Sequence, residues 1–156
     1  MNMIRVLFLC LGNICRSPMG EAVFRHLVQQ EGLEREISVD SAGTGGWHAG
    51  ERPHKGTLEI LTRYQIPHDW MRARQLTKRD LSEFDYIVAM DADNLKNLQR
   101  LGTLKPGQAF RLLDLVSDHP DGNVPDPWYT GDFDETYDLV TRGCLALLEK
   151  IRKERL

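Results

Sequence analysis

The stretch Ile4-Arg5-Val6-Leu7-Phe8-Leu9-Cys10-Leu11-Gly12-Asn13-Ile14-Cys15-Arg16-Ser17-Pro18 changes character twice. Ile4 to Leu9 is a nearly unbroken apolar run. It is too short for a membrane span and no small-residue cleavage site follows it, so it reads as a buried strand. Gly12 and Asn13 are residue types that tolerate left-handed backbone. Ser17-Pro18 is a cap and first-turn signal for a helix in which Val23, Phe24, Leu27 and Val28 recur at helical spacing. A buried strand that turns through a tight loop into a helix is the opening of an α/β sheet, and ligands of such sheets sit beyond the carboxyl ends of the strands.

Working outward, three more apolar runs read as strands: Ile37 to Asp40, Tyr86 to Ala89 and Phe110 to Leu113. Their near-continuous apolar character suits a parallel sheet covered on both faces. Helical patterns lie between them, over about 55–64 and 91–101, and Thr77-x-x-Asp80 reads as the start of a short helical turn. The last helix is the plainest. Asp132 with Glu135 three residues on resembles a capping box, and Phe133, Tyr137, Val140, Cys144, Leu147, Leu148 and Ile151 form one stripe. The expectation is a three-layer α/β sandwich: a four-stranded parallel sheet flanked by helices, joined by right-handed crossovers. No repeat or linker interrupts it, so one domain over 1–156 is the simplest organisation.

Bulk composition narrows the function. The 156 residues are 41% hydrophobic and 28% charged, with a formal net charge of −3, which is ordinary for a soluble domain able to bury its own core. No lysine or arginine block marks a nucleic-acid or membrane partner. Three cysteines and no signal segment point to a reducing, cytoplasmic setting with free thiols. Five histidines without ligand spacing, and no Cys-x-x-Cys pair, give no support to a metal site.

The loop carries the chemistry. Successive N–H groups from Leu11 through Gly12, Asn13, Ile14 and Cys15 to Arg16 can converge on one phosphate at the mouth of the following helix. Arg16 adds a planar fork of donors matched to two phosphate oxygens. The same dipoles and the guanidinium favour the thiolate form of Cys10, and the Ser17 hydroxyl can donate to that sulfur. The alternative is an inert sulfur at a buried strand end. Gly12, Asn13, Arg16 and Ser17-Pro18 together favour the nucleophile. Among 23 acidic residues, Asp126 stands out because Pro125 and Pro127 stiffen the chain on either side of it. From spacing alone it reads more simply as a turn.

The loop, Asp40-Ser41-Ala42-Gly43-Thr44, Ala73-Arg74-Gln75, Met90-Asp91 and Asp126-Pro127-Trp128-Tyr129 occur in the order seen in the low-molecular-weight protein tyrosine phosphatases, and the chain resembles that family over essentially its whole length. The resemblance implies hydrolysis of phosphotyrosine in proteins through a cysteinyl-phosphate intermediate, without metal or cofactor. Cys10 is then the nucleophile, Arg16 the phosphate clamp and Asp126 the general acid, which a phenol of pKa about 10 requires as it leaves. Trp128, Tyr129 and Trp47 wall a slot too deep for phosphoserine, although each aromatic also reads as ordinary packing. Asn13, Ser17 and Ser41 support the loop from behind. Asp91 orients Arg16, or serves as a helix N-cap.

One position departs from the family pattern. Many relatives carry a histidine before the Lys/Arg-Ala-Arg stretch, where this chain has Met71 before Arg72-Ala73-Arg74, so the loop's support must be completed otherwise; His68 is not assumed to substitute. Cys15 is read as a redox partner that closes a reversible disulfide with Cys10, or as a small buried residue, and Cys144 as core. A protein arginine phosphatase on the same fold is the main alternative, disfavoured by Ile14 where such enzymes carry threonine. An arsenate reductase lacks its two further relay cysteines here, and a phosphotyrosine-binding module would need neither nucleophile nor acid. A monomer acting on phosphotyrosine proteins is the default expectation.

Overall fold

The computed structural model describes residues 3–118 and 121–156; Met1, Asn2, His119 and Pro120 lie outside the described residues, and with them the N-terminal edge of the expected domain. Strands β1 (Ile4–Cys10), β2 (Ile37–Gly43), β3 (Tyr86–Ala89) and β4 (Ala109–Arg111) form one parallel sheet in the order β2-β1-β3-β4. Between and after them run helices α1 (Arg16–Gln30), α2 (Lys55–Arg63), α3 (Asp80–Glu83), α4 (Ala92–Leu101), α5 (Pro127–Thr130) and α6 (Phe133–Arg155). Among the described residues no helix is long and apolar enough to cross a membrane.

The two-residue alternation of β1 sorts its side chains between two cores. Ile4, Val6, Phe8 and Cys10 enter the larger core with α1, α2 and α6, where Phe24, Ile60, Leu61, Leu147 and Ile151 pack. Leu7 and Leu9 enter the smaller one with Ile87, Leu81, Phe84 and Leu98, under α3 and α4. The sheet is thus covered on both faces, as its apolar strands require. Close approach of α1 depends on Gly20, where a β-carbon would come within 2.7 Å of the Phe8 ring and 2.9 Å of Met90.

Expected boundaries differ in several places, and β2, expected to end at Asp40, runs on to Gly43 beside the end of β1. Phe110–Leu113 is not strand throughout: pairing stops at Arg111, and Leu112–Leu115 turn as a 3-10 helix. The backbone N–H of Arg111 donates to Asp114 Oδ2 at 3.0 Å and captures the chain there, while Leu112 and Leu113 remain buried. Their apolar character therefore reports burial without pairing. α1 begins at Arg16, before the Ser17-Pro18 signal, because a proline in the first turn removes only an N–H that has no helical partner anyway. Thr77-x-x-Asp80 does precede a one-turn helix, but the acceptor is the Asp80 carboxylate, which takes the Thr77 N–H at 2.8 Å and its hydroxyl at 3.2 Å.

Candidate active site

Cys10 ends β1, opposite Gly43 of β2 and one residue beyond Leu9, which pairs with Ala89 of β3. The chain then wraps through Leu11 to Cys15 before α1 starts. The backbone of this loop is anchored through its carbonyls: Thr44 and Gly45 N–H groups donate to Cys10 and Leu11 oxygens, both at 2.9 Å, and His54 N–H donates to Ile14 oxygen at 2.6 Å. The Thr57 hydroxyl takes the Cys15 carbonyl at 3.1 Å. The N–H groups from Leu11 to Arg16 have no partner among the described residues. Buried unpaired donors are costly, and several on one tight loop make a cradle for an anion.

The turn is held at Asn13, whose φ of 57° is left-handed. Gly12, expected to share that conformation, does not adopt it; a β-carbon there would sit 3.1 Å from His48 Cδ2, so its need is for space. The Asn13 amide donates to Ser17 Oγ at 2.7 Å and Ser41 Oγ at 2.9 Å, and its carbonyl accepts the Arg74 N–H at 3.0 Å. With both Asn13 protons so used, the Ser17 proton has two acceptors in reach, Cys10 Sγ at 3.0 Å and the Ala42 carbonyl at 3.4 Å, of which the sulfur is the nearer. Arg74 is in turn fixed by Asp80 and Asp40. Met71 is buried in the larger core, and His68 faces Arg52 and Thr62 instead of the loop.

Arg16 is buried and held in one orientation. Its Nη1 donates to Asp91 Oδ2 at 2.6 Å and to the Val124 carbonyl at 3.0 Å, and Nη2 reaches Asp126 Oδ2 at 3.4 Å. Burial alone would push the guanidinium down; the Cys10 sulfur, Asp91 and Asp126 outweigh it and hold the group above its ordinary value. Asp91 fills both expected roles: Oδ1 accepts the Asn94 N–H at 2.8 Å and caps α4, while Oδ2 takes Arg16.

Asp126 is also a cap. Its Oδ1 accepts the Trp128 N–H at 3.0 Å and starts α5, a one-turn helix the sequence reading missed between Pro127 and Gly131. Val124 N–H to Met90 oxygen, 2.9 Å, fastens this segment beyond the end of β3.

A cavity of 260 Å³ unites these groups, lined by Cys10, Leu11, Gly12, Ile14, Cys15, Arg16, Trp47, His48, Asp126, Trp128 and Tyr129. Cys10 is 2% exposed, whereas Trp47, Trp128 and Tyr129 are 71%, 54% and 78% exposed, so the aromatics stand at the mouth with the sulfur beneath. His48 and His54 went unforeseen, since loop histidines carry no periodic signal: His48 faces Trp128 at 5.9 Å and bonds Glu51, and His54 lies between Trp128 and Phe133. Cys15 packs with Ile14 and Ala73, and burial, then the charges of Cys10 and Asp126, push its thiol up to about 12. Cys144 is core, and all three cysteines are free.

This assembly has relatives. A family model for the low molecular weight phosphotyrosine protein phosphatases matches residues 5–156. The low molecular weight protein-tyrosine-phosphatase YfkJ of Bacillus subtilis (strain 168) is 54% identical over 154 residues, covering 98% of this chain and 99% of that protein. The crystal structure of YfkJ matches with a TM-score of 0.97 at 53% identity, over 100% of this chain and 99% of that one. The crystal structure of DARP, drosophila arginine phosphatase, matches with a TM-score of 0.88 at 30% identity, over 97% and 99% of the two chains. On its sequence, fold and loop together, the chain belongs to the low molecular weight phosphotyrosine protein phosphatase family.

Proposed function

We propose that the chain hydrolyses phosphotyrosine in proteins, with Cys10 as nucleophile, Arg16 as phosphate clamp and Asp126 as general acid. The observation that carries this reading is the cradle itself: unpartnered loop N–H groups, a buried oriented guanidinium and a carboxylate meet in one cavity above a buried sulfur. The Cys10 thiolate attacks phosphorus in line. The S–P bond forms as the P–O bond to the phenol breaks, and the phenolate takes its proton from Asp126. Loop N–H groups and Arg16 stabilise the equatorial oxygens. In the second half Asp126 accepts a proton from water, which attacks phosphorus, and the sulfur leaves with the Ser17 hydroxyl as its donor. Phosphate is released, and no metal or cofactor is needed for any of these steps.

Substrate choice follows from depth. A phosphate that must reach past Trp47, Trp128 and Tyr129 needs the length of a tyrosine side chain, and the aromatic faces suit its ring. We read the enzyme as a cytoplasmic monomer, in keeping with its free thiols. The likeness to an arginine phosphatase keeps phosphoarginine as the second reading; apolar Ile14 in the cavity wall weighs against it. The test is metal-free hydrolysis of p-nitrophenyl phosphate, phosphotyrosine peptide and phosphoarginine peptide, with arsenate reduction alongside. Phosphotyrosine should turn over, Cys10→Ser should be inactive, and Asp126→Ala should lose on the order of 10²–10⁴-fold, most on poor leaving groups. Phosphoarginine or arsenate turnover with phosphotyrosine untouched overturns the substrate assignment.

A further inference from the structure

Beyond Ser41 the hydrogen-bond chain from Cys10 continues to a residue with no assigned part in this site. Because the Asn13 amide donates to Ser41 Oγ, the Ser41 proton must go elsewhere, and it goes to Glu21 Oε1 at 2.6 Å. Glu21, in α1, is 5% exposed, and a carboxylate so buried needs a donor for its second oxygen. That donor is the indole N–H of Trp70, which reaches Oε2 at 2.9 Å. The Arg25 guanidinium lies 4.3 Å from the centre of the Trp70 ring and holds the indole from its other side. Trp70 immediately precedes Met71, the position where many relatives have the supporting histidine.

We propose that Trp70 is a positioning residue that takes over the support missing at Met71, keeping Glu21 an acceptor at both oxygens and so fixing Ser41, Asn13 and Ser17 beneath Cys10. The direction of every proton depends on Glu21. If it takes a proton on Oε1, the bond to Ser41 reverses, Ser41 Oγ accepts from both Glu21 and the Asn13 amide, and its own proton loses the acceptor that fixed it. Burial pushes the Glu21 carboxyl up and Asp40 adds to this; Ser41, Trp70 and Arg25 pull it back. Removing the indole N–H therefore makes Glu21 protonate at higher pH.

The inference rests on the phosphatase reading for its kinetic test, and a binding measurement separates the two. Trp70→Phe keeps an aromatic ring beside Arg25 and removes the N–H together with part of the indole's area, and the Trp70→His variant separates the two losses. The kcat of Trp70→Phe on p-nitrophenyl phosphate should fall about ten-fold, the worth of one hydrogen bond to a charged group. The ratio of variant to wild-type kcat should worsen as pH falls. Trp70→His restores the activity, because an imidazole Nε2 occupies the same ring position as the indole Nε1. Glu21→Gln, which cannot titrate, should show a loss that does not vary with pH. Independently of turnover, the indole N–H resonance of Trp70 should move when inorganic phosphate is added to wild type and stay still in Ser41→Ala. A Trp70→Phe enzyme with wild-type kcat across pH, a His variant no better than Phe, or an indole resonance blind to phosphate overturns the proposal. If wild type cleaves no phosphoester yet the indole responds, the functional reading fails and this one stands.

Discussion

Asp91 Oδ2 lies 2.6 Å from Arg16 Nη1 while Oδ1 of the same carboxylate caps α4. One side chain thus ties Arg16 to the helix that follows β3. The two jobs come apart by substitution. Asp91→Asn keeps a good cap but removes the charge facing Arg16, and should lower kcat/KM on p-nitrophenyl phosphate roughly ten- to a hundred-fold. Asp91→Ala should cost about 1 kcal/mol more in urea unfolding. Equal activity of Asn and wild type would leave Asp91 a cap and nothing else.

Gly43 is where β2 ends against the loop. A β-carbon there would lie 2.9 Å from Asn13 N, Gly12 C and Leu11 O, all backbone atoms with little room to give. Gly43→Ala should therefore push the cradle outward. A misplacement on this scale costs on the order of a hundred-fold in rate, and phosphate affinity should fall with it while circular dichroism stays unchanged. An alanine variant with wild-type kinetics would mean the loop yields.

The Arg74–Asp80 pair should give the fold an acid-side signature. Burial would raise the Asp80 carboxyl, but bonds from Arg74 and Thr77 prevail and lower it below its ordinary value of 3.8. A carboxyl lower in the folded state stabilises fully above its unfolded value and ceases to do so as pH falls through the folded one. Asp80→Asn should cost about 2 kcal/mol near neutral pH, and the deficit should shrink below pH of about 4. A deficit constant down to strong acid would assign the loss to packing instead of charge.

Cys15 bears on oxidation. Its thiol, pushed up to about 12, is un-ionised at neutral pH. If peroxide converts Cys10 to a sulfenic acid, the expected rescue is attack by Cys15, forming the S–S bond and releasing water; oxidation removes the Cys10 charge that helped to raise the Cys15 thiol, but burial remains, and attack still requires the thiolate. Protection should therefore strengthen as pH rises. After peroxide treatment and thiol reduction, wild type should regain most activity and Cys15→Ser little. Full recovery of the serine variant would remove Cys15 from this role.

Comparison of sequence with structure shows where local patterns suffice. β1, the loop and α6 are legible because each is specified by its own residues: an apolar run, a Gly-Asn turn, a capped stripe. The strand expected to Leu113 stops early because a side chain, Asp114, captures the backbone, and apolarity does not distinguish the two outcomes. Cys10, Arg16 and Asp126 are each recognisable, but only folding shows Arg16 and Asp126 in contact, 110 residues apart. Glu21 and Trp70 were invisible for the same reason. A glutamate in a helix and a tryptophan in a loop, 49 positions apart, acquire meaning only when the fold brings them to one hydrogen bond.

Thr44, Gly45, His54 and Thr57 hold the Cys10, Leu11, Ile14 and Cys15 carbonyls of the loop, leaving its N–H groups turned to the cavity. A receptor built this way does not loosen its grip once catalysis is over, because the ring of N–H groups that welcomes a phosphoryl group equally welcomes the tetrahedral anion left behind. Inorganic phosphate should therefore compete with substrate for the loop, and the check is whether it inhibits p-nitrophenyl phosphate hydrolysis competitively.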